Sequence, residues 1–265
     1  MAWAAGDWDF IPALRYDRNS HFGSQLSPGF GLVYHVPGWE TGRVRARASR
    51  VFSAPPLLWL YNDDPNQGVA PNPDLKAERA MLYEIGVEGP LIVHGLKGAL
   101  NLYRSDVKDA ISTVPTVGLI RQSRNFKKFV RQGGEVRMDY VFGERWRSFA
   151  AATFNDVRDV QTKKIVRDAG TARESFKWGS SYAWPFGLTF YLQGYYNRWS
   201  SSPDQAKDHR PIFDIRLNQN IPDVLRDVDM EIFFNLYNIT NSQHLSSPTY
   251  PLPGRYVEGG VSVNF

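Results

Sequence analysis

The chain has 265 residues, 42% of them hydrophobic and 22% charged, with a formal net charge of +4. A mean hydropathy of -0.40 and the lack of any run of about 18 apolar residues exclude a bundle of membrane-spanning helices, and so small and scattered a charge argues against nucleic acid as a partner. With no cysteine in the sequence, disulfide frameworks, thiolate metal centres and cysteine nucleophiles are excluded as well.

The pattern that remains is period two. The first strand is predicted over Trp8 to Asp17, with Trp8, Phe10, Leu14 and Tyr16 on one side and Asp9, Arg15 and Asp17 on the other. Pro12 inside it predicts an edge or a bulge, because proline cannot donate to a ladder. Leu26 to Val36 alternates almost without fault, and after a P-G-W-E-T turn the stretch Arg43 to Phe52 places Val44, Ala46 and Ala48 outward and Arg45, Arg47 and Ser49 inward. Ser53 to Ala77, rich in Pro, Asn, Asp and Gly, reads as a long loop. Further strands are predicted at Met81 to Glu88, Leu96 to Tyr103, a long segment ending at Phe142, Trp146 to Val157, Ser175 to Trp184, Leu188 to Trp199, Ile212 to Asn220, Val228 to Ile239 and Arg255 to Phe265.

The last of these shows the pattern best. Val257, Gly259, Val261, Val263 and Phe265 fall on one face, and Glu258, Gly260, Ser262 and Asn264 on the other. Segments of about ten residues with one greasy and one wet face suit strands that cross a bilayer at a tilt. The aromatic content of 14% fits rings placed at two membrane interfaces. Tight links such as P-G-W-E-T, F-G-E-R and W-P-F-G alternate with long polar ones such as Ser53 to Ala77, Arg158 to Thr171, Ser200 to Arg210 and Asn241 to Pro253.

The expected fold is all-β: a transmembrane antiparallel up-and-down β-barrel with about 12 strands in this chain, short periplasmic turns and long extracellular loops. Residues 1–265 are expected to form a single barrel domain, or the barrel portion of one. A soluble sandwich or propeller also alternates, but its outward faces would leave large apolar residues uncovered. The location expected is the bacterial outer membrane, with outer-membrane lipid and the barrel-assembly machinery as partners. Met1 to Trp8 lacks the basic and apolar regions of an intact signal peptide, so the expectation is a chain whose signal was removed or a piece of something longer.

Candidate chemistry is sparse. The five histidines lie apart without metal-ligand spacing, Asp63, Asp64 and Asp74 lack the spacing of a calcium loop, and no nucleophile elbow or phosphate-cradling loop occurs. No enzyme activity, metal or cofactor is expected. Arg43, Arg45 and Arg47 project to one face at strand spacing. They either line a lumen with positive charge, favouring anionic solutes, or pair with inward carboxylates such as Glu84 and Glu88. Tyr191, Tyr195 and Trp199 on the wet face of one strand, and Trp59 and Tyr61 in the long loop, are the aromatic candidates for ligand contact.

Several motifs then resemble a known family. N-P-D-L-K-A-E-R from Asn72 leading into Y-E-I-G-V-E-G at Tyr83, L-Y-R-S-D-V-K-D-A-I from Leu102, G-G-E-V from Gly133, N-L-Y-N-I-T-N from Asn235 and P-G-R-Y at Pro253, ahead of a strand ending in Phe265, are similar to the carboxyl-terminal part of TonB-dependent outer-membrane receptors. The resemblance implies uptake of a scarce nutrient such as a ferric siderophore or cobalamin. Such receptors carry a plug domain, a TonB-contacting segment and a barrel of about 22 strands, and nothing in these residues resembles the plug. The expectation is therefore that missing strands and plug come from another chain, with TonB engaged only through that plug. The alternatives are a plug-less 12-stranded passive pore, closed by pairing of the first strand with the last, or a structural subunit of a larger envelope complex.

Overall fold

The computed structural model describes residues 2–21, 23–62, 68–115, 121–166, 172–199, 210–225, 228–243, 245–247 and 250–264. In chain order the elements are β1 (Trp3–Ala5), β2 (Trp8–Asn19), β3 (Gly23–His35), β4 (Arg43–Ser53), α1 (Leu57–Tyr61), β5 (Val69–Ala70), β6 (Glu78–Pro90), β7 (Leu96–Pro115), β8 (Arg121–Phe142) and β9 (Trp146–Asp159). They continue with β10 (Ala172–Ala183), β11 (Leu188–Trp199), β12 (Ile212–Leu225), β13 (Val228–Tyr237), β14 (Leu245–Ser247), β15 (Tyr250–Pro251) and β16 (Tyr256–Asn264). The fold is an antiparallel meander with strand order β1-β2-β3-β4-β6-β7-β8-β9-β10-β11-β12-β13-β16, β5 adding a short parallel pairing to β8. Twelve strands of nine residues or more occupy the positions that alternation predicts.

Two compact units share the chain. The first comprises Met1–Val87, Asn101–Gly133 and Asp156–Val166, the second Glu88–Leu100, Gly134–Asn155 and Arg167–Phe265. In the first, cross-strand pairs such as Phe10↔Leu32 and Leu32↔Ala46 put apolar side chains on one face, while Asp9↔Val33 and Val33↔Arg45 occupy the other. In the second, Ile215↔Leu236 and Leu236↔Val257 lie on one face, Arg216↔Asn235 and Asn235↔Glu258 on the opposite one. The apolar faces are bare: Leu14 is 72% exposed, Val257 63% and Val261 60%. In water such faces would be covered; against lipid tails they need no cover.

Register is pinned by the short turns. Gly95 and Gly187 have φ of 80° and 90°, and a Cβ on either would collide with the carbonyl oxygen of Val141 or Asn220. Their own carbonyls accept from Val141 N–H (2.9 Å) and Asn220 N–H (3.0 Å), carrying the ladder around the turn. A side chain there would break both the turn and its hydrogen bond to the neighbouring strand. Pro12 pairs with Phe30 of β3, and β1 reaches only Trp8 to Phe10 on the other side of β2. Proline thus sits where β2 has a single neighbour, as its missing N–H requires.

The stretch predicted to be irregular between Ser53 and Ala77 holds α1 and β5; strand β7 runs 20 residues, well past the Leu96 to Tyr103 that the alternation marks, and β8, predicted to be long, runs 22. About ten residues span the bilayer, so the remainder of each stands clear of it on the extracellular side.

Candidate functional site

The wet face is built from rows of side chains that run across three adjacent strands. On the second unit the row begins at Gly179 of β10. A Cβ there would lie 2.5 Å from Phe149 Cε1 of β9, so the phenyl ring lies flat over the glycine. The guanidinium of Arg137 (β8) sits 5.5 Å from that ring's centroid and is itself held by Asp139 at 2.6 Å. The arrangement recurs at Gly260 of β16, where a Cβ would meet Phe233 Cζ (β13) at 2.7 Å, and Arg216 (β12) lies 5.8 Å from the Phe233 centroid and 3.5 Å from Glu231. Glycine, ring, cation and carboxylate satisfy one another in each row, through packing, cation–π attraction and ion pairing.

The first unit carries a row with a different composition. Gly86 of β6 has no ring over it; a Cβ there would lie 2.8 Å from Arg45 Nε (β4) and 3.0 Å from Asn101 Oδ1 (β7). Arg45 therefore lies across the glycine in the place a ring takes elsewhere. Among the described residues neither Arg45 nor Arg47 is within ion-pair distance of a carboxylate, Glu84 and Glu88 included, and both side chains are exposed. Elsewhere on this unit's wet face Arg15 pairs with Asp17 at 2.6 Å, and His35 Nε2 lies 2.8 Å from Asp9 Oδ2.

The aromatic candidates fall in separate places. Tyr61 of α1 is exposed and its hydroxyl meets His21 Nδ1 at 2.6 Å, ring against ring at 5.4 Å, which fixes α1 to the β2–β3 hairpin. Trp59 is half-buried, and its carbonyl accepts from Asn72 N–H at 2.8 Å. No hydrogen bond among the described residues joins either ring to Arg45 or Arg47. Tyr191 and Tyr195 share the wet face of β11, opposite Arg216 and Ile212 of β12. Trp199 pairs with Ala172 through the backbone, and its side chain lies outside the described residues. Val257, Val261 and Val263 lie exposed on the apolar face of β16; Phe265 lies outside the described residues.

One cluster was not singled out by residue type. Asp214 (9% exposed) accepts from Asn238 N–H at 2.8 Å, while the Asn238 side chain donates to the carbonyls of Ser242 (2.9 Å) and Pro253 (3.0 Å) and accepts from Ser242 N–H (2.9 Å). The N-I-T-N stretch thus ties the loop after β13 to the head of β12. Asn72 does the same after α1, donating to the Ser123 carbonyl at 2.8 Å, and Asn125 receives Lys76 N–H at 2.8 Å. Buried amides that answer several backbone groups hold loops in one place.

The family described as TonB dependent receptor-like, beta-barrel, matches residues 1–239. No curated protein sequence matches. Among solved structures the ferric enterobactin receptor PfeA of Pseudomonas aeruginosa is 18% identical with a TM-score of 0.75, 98% of this chain covering 42% of that one. The siderophore receptor PirA of Pseudomonas aeruginosa (18% identity, TM-score 0.72, 98% and 44%) and the FrpB iron transporter of Neisseria meningitidis (19%, 0.72, 98% and 43%) are similar to it in the same way. The chain spans less than half the length of these structures. Greasy and wet faces, tight periplasmic turns, long extracellular loops and the family match agree: the chain belongs to the TonB-dependent receptor β-barrel family of the Gram-negative outer membrane.

Proposed function

We propose that these residues form the barrel portion of a receptor, not an enzyme, that takes up a scarce nutrient of the ferric siderophore or cobalamin type. The extracellular loops capture the ligand, which then passes along the wet face. Remaining strands and a plug come from outside these 265 residues, and TonB supplies energy through that plug. The observation that carries this reading is Arg45, laid over Gly86 with no carboxylate in ion-pair distance among the described residues, and Arg47 likewise without one two residues on, whereas Arg15, Arg137 and Arg216 of the wet face each have a carboxylate. Fixed cations without counter-charge attract anionic ligands, so an anionic ferric chelate is favoured over neutral cobalamin. Tyr61, Trp59, Tyr191, Tyr195 and Trp199 are proposed as contacts along its route.

The test is uptake of radiolabelled iron, supplied as an anionic catecholate chelate, by cells with and without the chain and with and without TonB. Uptake that requires both supports the reading. Entry of small solutes that requires the chain and ignores TonB would replace it with a passive pore, and no transport at all with a structural subunit.

A further inference from the structure

The lipid face of the first unit changes character at its extracellular end. Going up β6, Ile85, Tyr83 and Met81 give way to Arg79; on β4, Ala48 gives way to Arg50; on β7, Leu100 and Leu102 give way to Arg104. These cations, with Lys108 and Lys128, line an open groove of about 660 Å³. Five cations meet two carboxylates there, Asp106 and Asp109, for a net charge of +3. Asp106 is committed to Arg104 at 2.9 Å. Arg50, Arg79, Lys108 and Lys128 are exposed and, among the described residues, have no carboxylate within ion-pair distance. The membrane-side border of the groove is apolar, formed by Met81, Tyr83 and Val130.

We propose that this groove binds the phosphorylated headgroup of an outer-leaflet lipid, its acyl chains lying on the apolar face below. Three features select that ligand. The cations project from the lipid face, not toward the lumen, so a solute in transit does not meet them. Their spacing over β4, β6, β7 and β8 presents several separate donors, which suits a headgroup with more than one phosphate. The apolar border continues into the bare wall of Ile85 (53% exposed) and Leu102 (47% exposed), where acyl chains of the same molecule are already at home. Arginine and lysine just beyond a hydrocarbon band are attracted to anionic lipid.

The experiment uses protein extracted from outer membranes in mild detergent together with any chains that accompany it. Binding is measured for micelles doped with a doubly phosphorylated, multiply acylated glycolipid, for the same glycolipid after dephosphorylation, and for inorganic phosphate. The phosphorylated glycolipid is expected to bind; the dephosphorylated form and inorganic phosphate are expected to bind at least about tenfold more weakly. Each lysine or arginine near an anionic surface is worth roughly a fivefold change in affinity, so Arg50→Gln, Arg79→Gln, Lys108→Gln and Lys128→Gln together should weaken binding at least about tenfold. Asp106→Asn, which frees Arg104, should tighten it about fivefold, and this single change reads out even if the quadruple variant fails to fold. Equal binding of the dephosphorylated glycolipid would overturn the proposal in favour of apolar contact alone. Equal binding of inorganic phosphate would reduce the groove to a free-anion site, and an Asp106→Asn protein with unchanged or weaker binding would likewise refute it. None of these outcomes depends on whether iron chelates are transported.

Discussion

Gly86 on the first unit and Gly260 on the second occupy the same kind of position, an inward glycine beneath a flat side chain from a neighbouring strand, yet the flat group differs. Over Gly260 it is the ring of Phe233, backed by Arg216 and Glu231; over Gly86 it is the guanidinium of Arg45, with no carboxylate behind it. In the second unit charge is consumed inside the wall, and the row serves packing. In the first, a cation takes the ring's place and its donors are left for something else. The two rows use one backbone device, a glycine that lets a plane lie close to the sheet, with a paired ring-and-cation stack in one case and an arginine without a carboxylate in the other.

The comparison is broken most severely by Phe233→Ala. It removes the ring from Gly260 and the surface under Arg216, and should cost about 2–3 kcal/mol, at the low end for a large-to-small change because the site is only half-buried. Urea titration of the protein folded into lipid vesicles measures it, and a cost under about 0.5 kcal/mol would deny the row a structural role.

Next is a matched pair, Gly260→Val and Gly86→Val. The first drives a branched side chain into a ring anchored between strands and should cost about 2 kcal/mol. The second meets the end of a flexible arginine, so stability should fall by less than about 1 kcal/mol while Arg45 is displaced. Equal losses from the two changes would show that Arg45 is as much a packing element as Phe233.

Arg45→Gln with Arg47→Gln should weaken binding of an anionic ferric catecholate about tenfold, close to 1.4 kcal/mol. Stability should stay within about 0.5 kcal/mol, as for exposed sites generally. Equilibrium titration of the chelate at low and high salt separates charge from shape, because the wild-type advantage should shrink as salt rises. Smallest of all is Glu231→Gln. An ion pair between half-exposed groups contributes roughly 0–1 kcal/mol, so stability should drop by about 0.5 kcal/mol or less, and chelate affinity should not move.

Much of the fold was legible because lipid imposes period two on any strand that crosses it. The pattern fades where lipid ends. Arg104, Asp106 and Lys108 continue the outward face of β7, but beyond the hydrocarbon both faces meet polar surroundings and the contrast that marks a strand disappears, although the backbone ladder goes on. That is why β7 is longer than the alternation predicts. His21 reads as a stray histidine because its partner, Tyr61, lies 40 residues away on a helix inside a loop-like sequence. Asp214 is equally silent, and Asn238 stands out only as part of the N-L-Y-N-I-T-N motif, since service to backbone groups leaves no trace in residue type. The sequence left open whether Arg43, Arg45 and Arg47 stand uncompensated or pair with carboxylates, because the reach of a side chain across neighbouring strands is not written in residue type; among the described residues Arg45 and Arg47 have no carboxylate within ion-pair distance.

The central claim is best tested by purifying the particle from outer membranes in mild detergent and determining its mass and every polypeptide segment in it. The expected particle is a barrel larger than 30.2 kDa that includes a plug-bearing sequence and retains an anionic ferric chelate. A lone barrel of that mass, closed on itself and indifferent to the chelate, would contradict it.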